Sequence, residues 1–327
     1  MLFLGVKPSH FEGHLWSEYM LLKNWTEEHT KKFQKETFKV KHDLESTGLF
    51  SDEALIDLLD RHPKDQLDVC TLVDDQVFQY KFRTGDVRDV DGATLIAAVK
   101  AGSIWMNLRK AMNIHPEYEA VLKQMYGEIA SHTGQKPFHA RGGILISSPS
   151  ARVPMHFDAT ETILWHVRGH KKIVFYPQTK EFLSDKDYEA LMYRVTEDYL
   201  PYDESMEEAA TVYDLHEGDM ATWPLNRPHR VDNMSYCVSV TTEYSTPEST
   251  IKNAAMYTNA VLRQKFGRSP NWSKATTLEK FIKAGAGTVL RKIGVLDTLK
   301  VEDMVSFVVD PSLPNYVRDV EPYPRTF

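Results

Sequence analysis

Between about Ala140 and Tyr244 the chain is a succession of short β-rich runs broken by glycine, proline and asparagine. Runs of that length and spacing build antiparallel barrels or sandwiches. Residues 142–147 and 163–167 are apolar and strand-like. Gly218 and Asp219 form a tight-turn signal, residues 220–223 a short strand, and Pro224 to Pro228 a turn that delivers His229 to the next strand. A helical insert at about 184–195 interrupts the pattern. An acidic loop near 198–210 follows it, carrying Asp203, Glu204, Glu207 and Glu208. A loop of that length is a lid or binding element on one reading and a solvated excursion on the other.

His156 and Asp158 lie between the two apolar runs, one residue apart. On an extended strand that spacing turns both side chains to one face, because side chains alternate with period two. An imidazole and a carboxylate on one face are two of the three ligands of a 2-His-1-carboxylate triad, the open-sided site of non-haem Fe(II). The tripeptide alone means little. With 13 His and 46 acids in 327 residues, chance gives about two His-x-acid matches, and a match is only as good as its context. Three occur. His10 to Glu12 lies near a terminus, and His115 to Glu117 reads as a helix start with proline in its first turn. Only His156 to Asp158 has strand texture on both sides, and His229, delivered by the proline-bounded turn, is the candidate third ligand.

The flanks are of a different kind. Residues 1–138 read as a mixed helical and strand flank, with helices at about 51–61, 91–100 and 116–131 and strands at 68–73 and 76–82. Trp16, Trp25 and Trp105 read as core, given the area that aromatics bury. Residues 139–246 form the β-rich core. Residues 247–327 read as a C-terminal helical region, helical at about 248–265 and 276–293, with Leu278, Phe281, Ile282, Val289 and Ile293 on one face of the second helix. Leu296, Leu299 and Val301 continue the apolar series, and residues 311–327 look extended. Such a tail packs on the core or forms a dimer interface.

Charge and cysteine usage narrow the function classes. A net charge of −7 disfavours a general nucleic-acid or anionic-membrane surface. Cys70 and Cys237 are too few for a disulfide framework and fit a reducing cytoplasm. The apolar start at residues 1–6 is too short for a signal peptide, and no later run approaches a membrane span.

Taken in order, His156-x-Asp158, then Arg168, Gly169 and Lys171, then Gly218, Asp219, Pro224 and His229 resemble the cupin-like JmjC group of Fe(II)- and 2-oxoglutarate-dependent oxygenases. Within that group the pattern is similar to the asparaginyl hydroxylase of the hypoxia-inducible factor and to bacterial cupin-like relatives. The resemblance covers roughly residues 139–244 and is specific in its combined spacing rather than in any single piece. It implies a double-stranded β-helix, or jelly-roll, core. It also implies iron on His156, Asp158 and His229, 2-oxoglutarate as cosubstrate, and hydroxylation of a protein or peptide side chain. A small-molecule substrate remains open and nucleic acid is disfavoured. Related enzymes frequently dimerise through C-terminal helices, so a homodimer is expected.

The resemblance also assigns Lys171 to the distal carboxylate of 2-oxoglutarate. A dicarboxylate taken into an apolar barrel needs a positive partner to offset desolvation. Alternation sends Lys171, Ile173 and Phe175 to one face and Lys172 outward. The ordinary reading of a lysine after a turn is a solvated one. Thr162 matches a position that often holds a polar group near the cosubstrate, although threonine is common in strands for β-propensity alone. His166 shares parity with Thr162 and Leu164 and has a claim to a role beside the site; His170 and His216 read as structural.

Two residues depart from the pattern. Val153 is apolar where relatives often carry threonine. Glu243 stands near a position where they often place asparagine, and an inward Glu243 would oppose an anionic ligand unless paired or protonated. Two further functions stay open at this point: a jelly-roll binding or regulatory module without catalysis, and a cupin metalloenzyme that does not use 2-oxoglutarate.

Overall fold

The computed structural model describes residues 20–73, 81–102, 104–195, 200–300 and 303–326. The readings made on His10, Glu12 and Trp16, and on most of the strand expected at 76–82, lie outside the described residues.

The first part of the chain supplies strands β1 (Leu22–Lys23), β2 (Phe38–His42), β3 (Leu67–Val73), β4 (Lys81–Asp86) and β5 (Ile104–Leu108). It also supplies helices α1 (Glu27–Lys32), α2 (Asp52–Arg61), α3 (Gly92–Ala101), α4 (Ala111–Ile114) and α5 (Pro116–Thr133). Local chemistry sets the helix starts. Ser51 Oγ accepts from the Ala54 N–H, Asp91 accepts from the Thr94 N–H, and Pro116 opens α5 where its missing N–H is no loss.

The middle of the chain gives β6 (Phe138–Ser147), β7 (Arg152–His156), β8 (Glu161–Arg168), β9 (His170–Phe175), α6 (Asp185–Met192), β10 (Thr211–His216), β11 (Asp219–Thr222), β12 (His229–Asn233) and β13 (Cys237–Ser245). The last part adds α7 (Pro247–Phe266), α8 (Thr277–Lys292), β14 (Met304–Val309) and β15 (Val317–Pro324). The tail expected to be extended thus ends in a hairpin.

These strands form two sheets. The larger runs β1-β2-β11-β8-β13-β6-β5-β3-β4-β14-β15, and the smaller runs β10-β9-β12-β7. Pairing is antiparallel except where β14 lies parallel to β4. Because β5 pairs with β6, the large sheet continues without a break across residue 138.

Strand β8 shows how the layers are made. Its residues Glu161 to Val167 are all buried, so both faces are covered. Ile163, Trp165 and Val167 join the core under α2, α3 and α5, which includes Leu55, Leu95 and Val121. Leu164 turns the other way and meets Ile173, Phe175, Leu215, Ala221 and Trp223 between the two sheets. Period-two alternation therefore loads one strand with two apolar sets, each buried side chain contributing about 1.5–3 kcal/mol.

The outer face of the small sheet is covered by the insert. Met155, Val174 and Tyr176 pack there with Phe182 and Leu200. The acidic loop is fastened to that cover. Glu207 Oε1 accepts from the hydroxyls of Tyr176 (2.5 Å) and Tyr202 (2.8 Å), and Oε2 accepts from Arg230 Nη2 at 3.0 Å. Three partners on one carboxylate make this an anchored cover.

Candidate metal centre

His156 ends β7 and His229 begins β12, and the two are paired in register across the small sheet. Their ring centroids are 4.2 Å apart. His156 Nδ1 lies 2.8 Å from the Pro154 carbonyl and His229 Nδ1 lies 2.9 Å from the Arg227 carbonyl. A carbonyl can only accept, so both rings carry their proton on Nδ1 and leave Nε2 bare. That is the tautomer of a ligating histidine whose outer nitrogen is fixed by a backbone acceptor.

Asp158 follows β7 in a loop and is held from two sides. Trp223 Nε1 donates to its Oδ2 at 3.1 Å, and Asn226 Nδ2 donates to its backbone carbonyl at 2.5 Å. Its Oδ2 stands 3.7 Å from His229 Nε2. One ligand atom from each of His156, Asp158 and His229 lies within 4.8 Å of the others, and this is the sole such group of three among the described residues. Ligands about 2 Å from a shared cation sit roughly 3–4 Å apart, so the set closes on a first-row divalent ion with small movements. Burial pushes the Asp158 carboxyl up, opposed by the neighbouring His156 and by hydrogen bonding from Trp223 and Thr162. Burial, together with His156, holds the His229 imidazole well below its ordinary value. Three electron-rich atoms in a largely apolar recess are the donor chemistry of a metal site.

The three side chains line a cavity of about 330 Å³ between the sheets. Thr162, Leu164 and Ile173 stand in its wall, and Thr162 Oγ1 donates back to the Thr160 carbonyl at 3.3 Å. Lys171 is two residues from Ile173 on the same strand face and does not itself line the cavity. It is buried, 2% exposed, and its ammonium has no hydrogen-bond or ion-pair partner among the described residues. Burial pulls its ammonium below the usual lysine range. Opposite it in register, Asn233 keeps a buried Oδ1 without a partner. Gly169, at φ 91°, makes the turn that starts this strand; a side chain there would strike the Tyr236 carbonyl.

Glu243 pairs with Thr162 and Arg141 across the strands, and Arg141 Nε donates to its carboxylate at 2.8 Å, so its charge is met outside the cavity wall. His166 is fully buried and satisfied, with Nε2 on the Gly169 carbonyl (2.9 Å) and Nδ1 on Ser239 Oγ (3.0 Å). Burial, with Lys171 nearby, pulls its imidazole down to about 3. His170 and His216 stack on the surface. Val153 lines the cavity, as its apolar character suits.

Trp105 is a correction. It was expected in the core, yet it reaches the cavity wall from β5. Its alternation with the buried Ile104 and Met106 was the available signal. Trp223 and Asn226, which hold Asp158, were missed because neither residue type marks a ligand's support in sequence.

No family model matches the chain, and no curated protein matches it. Among solved structures it is similar to that of YcfD from Escherichia coli, with 15% identity over 84% of this chain and 69% of that one and a TM-score of 0.48. It is also similar to YcfD described as a ribosomal oxygenase in complex with cobalt and succinic acid (15%, 88% and 75%, TM-score 0.46). A third structure is the same oxygenase with cobalt and 2-oxoglutarate (14%, 88% and 75%, TM-score 0.47).

Proposed function

We propose that this chain is an Fe(II)- and 2-oxoglutarate-dependent dioxygenase that hydroxylates a side chain of a protein or peptide. The observation that carries the reading is the meeting of His156, Asp158 and His229, with both histidines fixed in the ligating tautomer. Fe(II) on those three residues would supply oxygen activation, with 2-oxoglutarate as the co-reductant that leaves as succinate and CO2.

The chain's own residues do the rest. His156 and His229 keep their proton on Nδ1, so Nε2 stays free of competing hydrogen bonds. Trp223 orients the Asp158 carboxylate and excludes water from one side of it. Lys171 supplies the positive charge for the far carboxylate of the cosubstrate, its unmet burial being costly until an anion arrives. Thr162 offers a hydroxyl on the wall between. Leu164, Ile173, Val153 and Trp105 keep the cavity dry, which strengthens every charge interaction in it.

The two facing sheets support a double-stranded β-helix core at residues 139–246, with 1–138 and 247–327 as flanks. The apolar residues of α8 support a homodimer. Among the described residues no helix is long and apolar enough to cross a membrane. Both cysteines are free and buried, which supports a reducing, cytoplasmic setting.

The test needs no substrate. Purified protein with Fe(II) is expected to convert 2-oxoglutarate slowly to succinate, and His156→Ala and Asp158→Ala to abolish this. Iron binding without any such conversion would point to a metalloenzyme of another kind; neither binding nor conversion would leave a non-catalytic module.

A further inference from the structure

A second cavity of about 130 Å³ lies beside the metal centre, between the α6 insert, α7 and the loop that leads into α8. It shares residues with the supports of that centre. Asn226, which holds the Asp158 carbonyl, lines it, and its Oδ1 is buried with no hydrogen-bond partner. Tyr188 also lines it and stacks on Phe157, between His156 and Asp158, with ring centroids 4.9 Å apart.

The other side is cationic. Lys252 in the wall lies over the Tyr188 ring at 5.5 Å, and Lys280 lies over the ring of the wall residue Trp272 at 4.5 Å. Neither lysine forms an ion pair among the described residues. The wall's own acid, Asp185, is already engaged, accepting from Lys180 Nζ and the Trp272 N–H, each at 2.8 Å. Burial holds the Lys252 ammonium below the usual lysine range.

We propose that this cavity receives the carboxylate side chain of an acidic residue in the peptide substrate, near the residue presented to the metal centre. The proposal rests on the oxygenase reading. The charges of Glu248 and Asp185 act on Lys252 without pairing with it, and a carboxylate in the recess supplies the direct, charge-assisted contact that neither makes. The Asn226 amide supplies an acceptor for a main-chain N–H beside it. A peptide fits better than nucleic acid, because a single recess on a chain of net charge −7 is not a basic groove that tracks a phosphate backbone. The occupant would touch Asn226 and Tyr188, both in contact with residues 157–158, so binding there is felt where the metal ligands are held.

The experiment is selection from a random decapeptide library on immobilised full-length protein, wild type against Lys252→Glu and Lys252→Met. Wild type is expected to enrich Asp or Glu at one position. Lys252→Glu is expected to replace that preference with Lys or Arg, and the best acidic peptide should bind Lys252→Met about tenfold more weakly, one lost charge contact. No acidic preference, or one unchanged in Lys252→Glu, overturns the proposal. So does a labelled oligouridylate that binds wild type and loses its binding in Lys252→Glu. Thermal melting checks that both variants fold. Substrate-free succinate formation is expected to be equal in all three proteins. Its absence from wild type sinks the oxygenase reading, whereas the library alone decides the acidic recess.

Discussion

His156 and His229 face one another directly across β7 and β12, and each ring is pinned by the carbonyl two residues before it in the chain. For these two imidazoles the ladder sets the separation and the carbonyls set the orientation. Asp158 has no such advantage, for it lies in the loop beyond β7 and depends on Trp223 and Asn226.

Trp223→Phe is therefore expected to weaken metal binding by about 10–100-fold, the usual effect of removing a ligand's hydrogen-bond partner. The ring's packing against Phe175 and His229 is largely kept by phenylalanine. Calorimetric titration with Co(II) measures it, and an unchanged affinity would show that Asp158 is positioned by other means. His229→Ala should lose binding altogether.

Lys171 separates stability from activity. A buried ammonium without a counter-charge destabilises the unliganded protein, so Lys171→Met is expected to raise its unfolding free energy by roughly 1–4 kcal/mol. The same change should reduce 2-oxoglutarate affinity by at least about tenfold, the loss of one charge-assisted contact. Urea unfolding and cosubstrate titration read the two effects. A variant that is less stable and binds the cosubstrate normally contradicts the assignment. The pH dependence has a definite sign as well. The folded-state pKa is depressed, so the unfolded chain binds the extra proton. The wild type's deficit relative to Lys171→Met should shrink as pH rises towards the ordinary lysine value.

Three buried histidines make a sharper acid prediction. His42 and His62 are held at about 4 and His166 at about 3, in each case chiefly by burial. His62 lies between the Gln66 carbonyl, on its Nε2, and His115, whose Nε2 faces its Nδ1 at 3.1 Å. Because these folded values lie below the unfolded one of 6.5, the stability they confer is full above that pH and is lost as pH falls towards 4. Each should withdraw about 2 kcal/mol between pH 7 and pH 5. Urea midpoints measured at the two pH values test this directly; coincident midpoints would mean that the rings accept protons in place.

Much of the centre was legible because its signals are local. His156 ends β7 and Asp158 follows two residues later, Gly218 and the prolines at 224 and 228 mark the turns around His229, and alternation along β9 sends Ile173 and Phe175 between the sheets. What was not legible depends on distant packing. Trp105 reaches the cavity only because β5 joins the same sheet as β6, and sequence spacing does not reveal that pairing. Trp223 and Asn226 support Asp158 across a gap of more than sixty residues. Spacing likewise does not reveal that Glu207 of the acidic loop holds Tyr176, Tyr202 and Arg230 together.

The helical face at 278–293 was also legible, but its covering was not. Leu278, Phe281, Ile282, Val289 and Ile293 are 57–70% exposed on α8, while Gly287 turns the opposite face tightly against the Ala254 carbonyl of α7. An apolar stripe facing water on a helix already packed on its other side is what a second copy would cover. Light scattering is expected to give a dimer for the wild type and a monomer for Phe281→Glu with Ile282→Glu. Since neither side chain is buried within the chain, the pair should change the unfolding free energy of the monomer by no more than about 0.5 kcal/mol per residue. A wild type that is monomeric at high micromolar concentration, or a double variant that stays dimeric, would remove α8 as the interface. The metal centre's turnover, which lies elsewhere in the chain, should persist in the monomer.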